Sequence, residues 1–389
     1  MLKNEKLPTC TILAQRKDII NKKYKISVGK QDRIGYTDFI RDNIKLYMMC
    51  RIYTGLLHKT NKQREVSGMK HIFIINPVAG KGRHVGVLTA EIEAVCKEKG
   101  ADYEIYQTRC AGDATEYVKK RSETGAELRF YACGGDGTLG EVARGAYGYP
   151  NVQVAVIPCG SGNDFVRSFP GVPFTDIAAQ LAGDARKIDL IKTGKGICIN
   201  LCSVGFDSAV AMSMVHYKSL PLVTGSMAYI IAIGERFFQR ISSVMNIVVD
   251  GEELPAGEYV IGVCGNGCSY GGGFTAAPRA DLEDGLLEIV FVKRLSRAKF
   301  LSLIGKYKKG LHLDDPAFRD VIFYRRAKTI DITSPHEVVV NYDGECELTN
   351  SMHAEILPAA LQFSLPLAHE KSSQPARTRA IRVKGDMLA

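Results

Sequence analysis

The chain has 389 residues, of which 46% are hydrophobic and 24% charged, a composition that fits a globular protein with a sizeable core and more than one domain. The formal net charge is +9, but the first 70 residues alone hold 16 Lys and Arg against 6 Asp and Glu, so the rest is close to neutral. This uneven distribution argues against nucleic acid as the partner of the folded body.

The two ends of the chain and its cysteines indicate where the folded body lies. Residues 1–68 are basic and poorly periodic, so we expect a poorly structured extension, either dispensable or lying along anionic lipid. Residues 367–389 have the composition of a disordered basic tail. The 11 Cys lack the spacing of a zinc site, and no secretory signal is visible, so we expect reduced thiols in the cytosol.

From residue 69 the chain alternates short apolar strands with amphipathic helices. Strands are predicted at 71–75, 102–107, 128–132 and 152–157, and helices at 87–99, 114–124 and 139–147. This alternation predicts a mostly parallel sheet covered by helices, with ligand loops at the carboxyl ends of the strands. Glycine-bearing loops follow three of these strands, at 76–83, 134–138 and 159–164.

The loop at 134–138 reads Gly-Gly-Asp-Gly-Thr and leads into a predicted helix, which is typical of a phosphate-binding turn. Through Gly140 the stretch also fits the G-x-G-x-x-G pattern of dinucleotide enzymes, but the ribose-binding acid expected about 20 residues later is absent. Asp136 would repel a bare pyrophosphate, so the loop favours a metal-bound nucleoside triphosphate. An ordinary turn in which Asp136 caps a helix is the other interpretation.

After Asp189 the pattern changes to strand-like runs separated by turns. These runs lie at 196–201, 244–250, 258–264, 286–293, 329–333 and 337–342, and they predict a β-rich second domain. The apolar stretch 220–238 is interrupted by glycines and is too short for a confident bilayer span, so we expect a core or cleft-lining helix. Residues 296–313 mix apolar and basic side chains, which fits either a helix packed on the sheet or one lying on anionic lipid.

Several motifs together resemble one known family. In chain order they are Asn76-Pro77 with Gly80-Lys81-Gly82, Thr108 with Gly112-Asp113-Ala114-Thr115, Gly134 to Thr138 with Glu141, Gly160 to Phe165, Ile188-Asp189, Gly271-Gly272-Gly273 with Ala277-Pro278, Asp284-Gly285-Leu286 and Asp343-Gly344-Glu345. Over residues 70–366 this order resembles the bacterial diacylglycerol kinase family, which includes sphingosine-kinase-like lipid kinases. One motif alone would be weak evidence, whereas the whole series in order is strong evidence.

The resemblance implies a fold and an activity. The fold would be an α/β ATP-binding domain of the phosphofructokinase and NAD-kinase type at 69–192, completed by about 344–366, and a β-rich, sandwich-like or barrel-like lipid-substrate domain at 193–343. The activity would be magnesium-dependent transfer of phosphate from ATP to a lipid hydroxyl, with diacylglycerol giving phosphatidic acid. The alternative acceptors are a sphingoid base, phosphatidylglycerol, NAD or another small molecule. A non-catalytic binding role is a further alternative. We expect a cytoplasmic protein peripheral to the inner face of the membrane, with a homodimer allowed.

The resemblance also implies site residues. Those for the nucleotide, its phosphates and the catalytic Mg²⁺ are Asn76, Pro77, Gly80, Thr108, Gly134, Gly135, Asp136, Gly137, Thr138, Leu139, Gly140, Glu141, Ser161, Asn163, Asp164 and Asp189. Of these, Asp136, Asp164 and Asp189 would hold the Mg²⁺ through water.

Two further features come from the resemblance. Asp343 or Glu345 would be the base, and Glu345 is favoured. Asp284, together with the backbone carbonyls of Asp281 and Leu286, would hold a structural Mg²⁺; the alternative is that these residues form an ordinary tight turn. The chain departs from the family at Gly140, where the family usually has Asn.

Overall fold

The computed structural model describes residues 68–82, 85–218 and 225–367. The predictions for 1–68 and 367–389 lie outside these ranges, except at Gly68 and Leu367. The strands are β1 Lys70–Ile75, β2 Tyr103–Gln107, β3 Leu128–Gly134, β4 Val152–Pro158, β5 Asp184–Thr193, β6 Gly196–Cys198, β7 Leu201–Gly205, β8 Ser243–Val249, β9 Glu252–Glu253, β10 Gly257–Gly265, β11 Leu287–Lys293, β12 Ile322–Ala327, β13 Thr329–Tyr342 and β14 Glu345–Leu365.

The helices cover both halves of the chain. They are α1 Val85–Lys99, α2 Asp113–Ser122, α3 Asp136–Ala146, α4 Ile177–Leu181, α5 Phe206–Lys218, α6 Gly225–Phe238 and α7 Arg297–Lys308. Short 3-10 helices lie at Ala79–Gly82, Phe165–Ser168, Leu311–Leu313 and Pro316–Phe318. Within the described ranges no helix is both long enough and apolar enough to cross a membrane.

Strands β2, β1, β3 and β4 lie side by side in that order and are all parallel. Successive residues of β1 point to opposite faces, as the period of a strand requires. Ile72 and Ile74 belong to the apolar cluster that includes α2 and α3, whereas Phe73 and Ile75 belong to the one that includes α1. Both faces of the sheet are therefore buried, which explains why these strands read as continuous apolar runs.

The second half is antiparallel and β-rich. Strands β12, β11, β10, β7 and β13 follow one another, and β8 pairs with both β10 and β13. Helices α5, α6 and α7 share one apolar cluster with this sheet, in which the rings of Phe206 and Phe300 meet edge to face at 5.2 Å. The helix predicted within 296–313 packs on the sheet through Phe300, Leu303 and Tyr307.

Three elements differ from the sequence-based expectation. The run at 196–201 is divided between two strands, because Ile199 and Asn200 separate β6 from β7. Strand β6 pairs with β5, whereas β7 pairs with β10. The runs at 329–333 and 337–342 are one strand, β13, with a register shift between Thr333 and Val338. Strand β14 extends over 21 residues, first beside β13 and then beside β5 and β4, where Phe363 is opposite Val154.

A buried arginine joins β3 to the end of α4. The guanidinium of Arg129 donates to the carbonyl oxygens of Gln180 and Gly183, both at 3.1 Å, and its Nε donates to Gln153 Oε1 at 2.8 Å. The Gln180 carbonyl also accepts the Gly183 amide at 3.1 Å. Arg129 therefore adds further donors to the carbonyls at and just after the end of α4, and it ties them to β3.

We expect Arg129→Met to lower the free energy of unfolding by on the order of 3 kcal/mol, because it removes the buried hydrogen bonds to Gln153 Oε1 and to the Gln180 and Gly183 carbonyls. Urea denaturation followed by circular dichroism measures the loss. Arg186→Met is the control, because Arg186 forms an exposed ion pair with Glu283 and such pairs contribute about 1 kcal/mol or less. Equal losses in the two variants would contradict the role given to Arg129.

Candidate active site

The predicted ligand loops meet at one edge of the parallel sheet. Ile75 lies opposite Cys133, and Gly134 opposite Pro158, so β1, β3 and β4 end at the same level. The loops that follow carry Asn76, Pro77 and Gly80 on the first strand, Gly135 to Thr138 on the second, and Gly160 to Asp164 on the third. Thr108 joins this edge from β2, since its amide donates to the Ile75 carbonyl.

Two of these loops approach each other so closely that both need glycine. A Cβ at Gly160 would lie 2.5 Å from the Gly135 Cα, and one at Gly134 would overlap the Thr138 side chain. The amides of Cys159 and Gly160 donate to the Gly134 carbonyl at 2.7 and 3.2 Å. The glycines predicted as a phosphate-binding turn therefore also pack the two loops together.

The start of α3 presents backbone amides beside this contact. Its N-cap residue, Gly135, has no side chain to occupy them, and Gly137 is exposed. Asn76 Nδ2 donates to Thr138 Oγ1 at 3.1 Å and so connects the β1 loop to the first turn of α3. An uncapped helix N-terminus with free amides suits a phosphate group.

The loop after β4 contains a residue with left-handed backbone. Asn163 has φ of 50°, and its side chain accepts from the Gly160 amide at 3.0 Å and donates to the Gly160 carbonyl at 2.9 Å. These bonds close the loop on itself and leave Ser161 exposed at its tip. Asn163 therefore shapes the loop, whereas Ser161 is open to a ligand.

Asp136 and Asp164 form a close pair of carboxylates. Asp136 Oδ1 accepts the amides of Asp164 and Phe165 at 2.7 and 3.1 Å, and Asp164 Oδ2 accepts the Gly272 amide at 2.8 Å. Burial raises the pKa of Asp136, and the nearby Asp164 charge adds to that rise. Two like charges in a half-buried position fit a divalent cation, which prefers oxygen ligands. A magnesium ion at this pair stays a prediction.

Asp189 does not join that pair. Its side chain is 1% exposed, and its two oxygens accept the amides of Gly285 and Ala359, both at 2.7 Å. The Asp189 amide in turn donates to the Leu282 carbonyl. Because its carboxylate is used to join β5, the 282–285 turn and β14, the predicted set of three metal-binding carboxylates is not formed.

Two residues predicted to contact phosphate face elsewhere. Glu141 Oε2 accepts the Ala114 amide at 3.2 Å, in the first turn of α2, where a carboxylate is favourable. The Leu139 side chain lies in the apolar core. Contrary to the prediction, the Glu141 side chain therefore connects α3 to α2, and Leu139 could contact a ligand through its backbone only.

The late Asp-Gly-Glu turn separates its two acids. Asp343 accepts the amides of Ile199, Asn200 and Leu201, and burial raises its pKa to about 6 despite these bonds. Glu345, in contrast, is 72% exposed and makes an ion pair with Arg144 of α3 at 2.7 Å. The geometry favours Glu345 as the acid that can meet an acceptor, while Asp343 shapes the turn.

The turn predicted to hold a structural metal already has a cationic partner. Asp284 pairs with the Arg326 guanidinium and accepts the Leu286 amide at 2.9 Å, while Asp281 accepts the Glu283 amide at 3.0 Å. Over the described ranges, no group of three or more His, Cys, Asp or Glu is placed to hold a metal ion. These residues fit the alternative of a tight turn and do not fit a metal site.

Sequence reasoning missed two residues at this site. Arg144 lies on α3 and reaches Glu345, which is 201 residues away in the chain. Arg167 lies at 3.2 Å from Asp164 Oδ1. Only Arg167 had a local signal, since it is three residues from Asp164 in the predicted loop region.

Comparisons with known proteins match both halves of the folded chain to known domains. Residues 70–193 match the diacylglycerol kinase catalytic domain, and residues 200–365 match the YegS C-terminal NAD kinase beta sandwich-like domain. A diacylglycerol kinase of Staphylococcus carnosus is 30% identical over 275 residues, which span 70% of this chain and 87% of the relative. The lipid kinase YegS of Escherichia coli K12 is 31% identical over 278 residues, 69% of this chain and 88% of the relative.

A solved structure shares the fold. A crystal structure of a diacylglycerol kinase from Bacillus anthracis superposes with a TM-score of 0.58 at 24% identity, covering 76% of this chain and 96% of that one. The predicted family, α/β first half and β-rich second half are therefore confirmed. The chain belongs to the diacylglycerol kinase catalytic-domain family of ATP-using lipid kinases.

Proposed function

We propose that this kinase transfers the γ-phosphoryl group of ATP to the free hydroxyl of diacylglycerol, giving phosphatidic acid. The names of the relatives from Staphylococcus support this acceptor. The observation that carries the proposal is the contact between Arg144 and Glu345. It brings the exposed carboxylate of the late turn against the same helix, α3, whose first turn forms the phosphate cradle.

The nucleotide would lie along the edge where β1, β3 and β4 end. Asn76 and the Gly80 turn would border it on one side, and the exposed Ser161 on the other. The free amides at the start of α3 would bind its terminal phosphates, because they form an uncapped helix N-terminus. This arrangement directs the γ-phosphate toward the 343–345 turn.

Glu345 would act as the general base. The acceptor oxygen attacks the γ-phosphorus, its proton passes to the Glu345 carboxylate, and the bond between the γ-phosphorus and the β–γ bridging oxygen breaks, so that ADP leaves. Phosphoryl transfer depends on positioning and charge neutralisation, so one well-placed carboxylate is enough.

Magnesium would be held at the Asp136–Asp164 pair. Such an ion would neutralise charge on the β- and γ-phosphates. The fit rests on this structure: although Arg167 already pairs with Asp164 Oδ1 at 3.2 Å, a Cβ at Gly162 would meet Oδ2 of both carboxylates, at 2.9 and 3.3 Å. Only a glycine there leaves space in front of the two acids.

The lipid would arrive through a surface formed by α6 and α7, here called the α6–α7 face. Four large apolar side chains are exposed on it, namely Met227, Ile231, Phe238 and Leu301, with Phe238 at 83% and Leu301 at 59%. Arg297 joins the two helices, since its guanidinium donates to the Phe237 and Gln239 carbonyls at 2.9 and 2.8 Å. Exposed apolar groups clustered on adjacent helices favour contact with lipid.

Arginines lie beside one end of this face. Arg240, Arg294 and Arg297 line a cavity of about 670 Å³ next to the end of α6. Glu258 is the one acid there, and it pairs with Arg240 and Arg294 at 3.1 and 3.3 Å. The excess positive charge complements an anionic bilayer. We propose that the protein associates peripherally with the membrane surface through the α6–α7 face.

We expect the purified kinase to label diacylglycerol with phosphate from radiolabelled ATP in mixed micelles. Glu345→Gln should reduce turnover by about 100-fold or more with ATP binding retained, because it removes only the proton acceptor. Glu347→Gln is the control, since Glu347 lies two residues along β14 and pairs with Lys195.

Asp343→Asn should instead lower the melting temperature, since an amide cannot accept all three backbone amides. Labelling of NAD or a sugar but no lipid would overturn the proposed function, and labelling of a sphingoid base or phosphatidylglycerol alone would overturn the acceptor. An unchanged rate in Glu345→Gln would overturn the base.

We expect the double variant Phe238→Ser, Leu301→Ser to float less with vesicles containing phosphatidylglycerol, because it removes the apolar contact of the α6–α7 face. Binding by the unchanged protein should weaken as salt rises, as electrostatic attraction requires. Val87→Ser is the matched control, since Val87 is equally exposed but lies on α1. Equal flotation of the double variant and the control would contradict this membrane surface.

A further inference from the structure

We propose that Arg144 is a positioning residue that holds Glu345 toward the acceptor hydroxyl, and that Gly140 is present because Arg144 needs the space above it. The inference rests on the proposed function, in which Glu345 is the base. It gives a role to two residues, one of which departs from the usual family sequence.

Arg144 is the one side chain that the structure places against the Glu345 carboxylate among the described residues. Its carboxylate makes one ion pair, to Arg144 Nη2 at 2.7 Å, and no other hydrogen bond in the described part of the chain. An exposed glutamate with three rotatable bonds would otherwise sample many orientations, and ordering such a side chain costs conformational entropy. The Arg144 side chain is only 23% exposed, so it is the better anchored of the two.

The second step is the space over Gly140. Arg144 follows Gly140 by four residues on α3, and helical side chains lean toward the N-terminus, so the arginine lies above the glycine. A Cβ at Gly140 would lie 3.7 Å from Arg144 Nη1, an ordinary contact distance. A Cβ therefore fits there, and we expect the longer side chain of an asparagine to compete with the guanidinium for this space.

The third step is electrostatic. Arg144 is close enough to lower the pKa of the buried Asp343, against the larger effect of burial, and it acts in the same direction on Cys198. Its guanidinium therefore contributes positive charge near Asp343 as well as contacting Glu345. The ion pair with Glu345 connects the turn to α3, the helix whose first turn would bind the phosphates.

We expect Arg144→Met to lower kcat by about tenfold, because a misplaced base costs rate, while the KM for ATP changes by less than about twofold. Arg144→Lys should retain part of the rate, and Gly140→Asn should reproduce most of the loss. Arg325→Met is the matched control, since Arg325 makes an equivalent exposed ion pair with Glu252 in the second half.

A double-mutant cycle separates positioning from a general structural effect. In a Glu345→Asp background, whose shorter side chain cannot reach the same pair, Arg144→Met should cost little further rate. The same tenfold loss in that background, or an unchanged rate in Arg144→Met, would overturn the inference. Lipid labelling by the unchanged protein is established first, so its absence would indicate failure of the proposed function instead. Melting temperatures near that of the unchanged protein show that the variants fold.

Discussion

The shared strand β14 is the constraint on which the rest of the structure depends. It begins beside β13 in the antiparallel half, runs along β5, and ends beside β4 in the parallel half. The turn that precedes it, with Asp343 buried against the amides of residues 199–201, therefore has a fixed position relative to the phosphate cradle. A hydrogen-bonded strand common to both halves therefore places Glu345 beside α3.

Three aspartates, of which Asp189 is buried and the others are partly buried, join separate segments of this site through hydrogen bonds. Asp136, Asp189 and Asp343 each accept two or three backbone amides from distant segments. A carboxylate satisfied in this way orders the loops around it, and charge-assisted bonds of this kind are among the stronger ones. Asp164, beside Asp136, accepts the Gly272 amide and pairs with Arg167, whereas Glu345 is exposed and makes a single ion pair with Arg144.

Local patterns predicted the parallel half well, because buried parallel strands read as apolar runs and the loops after them carry glycine. The role of Asp189 could not be predicted, since its partners Gly285 and Ala359 are 96 and 170 residues away in the chain. The merging of two runs into β13 depends on a register shift, which periodicity does not report. Arg144 had no local signal either, because only the fold brings it to Glu345.

In the proposed complex, one edge of the parallel sheet directs the γ-phosphate of ATP toward Glu345. A crystal structure with magnesium, a non-hydrolysable ATP analogue and a short-chain diacylglycerol would show this arrangement. We expect the γ-phosphate against the amides that begin α3, and the acceptor hydroxyl within about 3 Å of the Glu345 carboxylate. A nucleotide bound away from the Gly135–Gly160 contact, or an acceptor hydroxyl out of reach of Glu345, would contradict it.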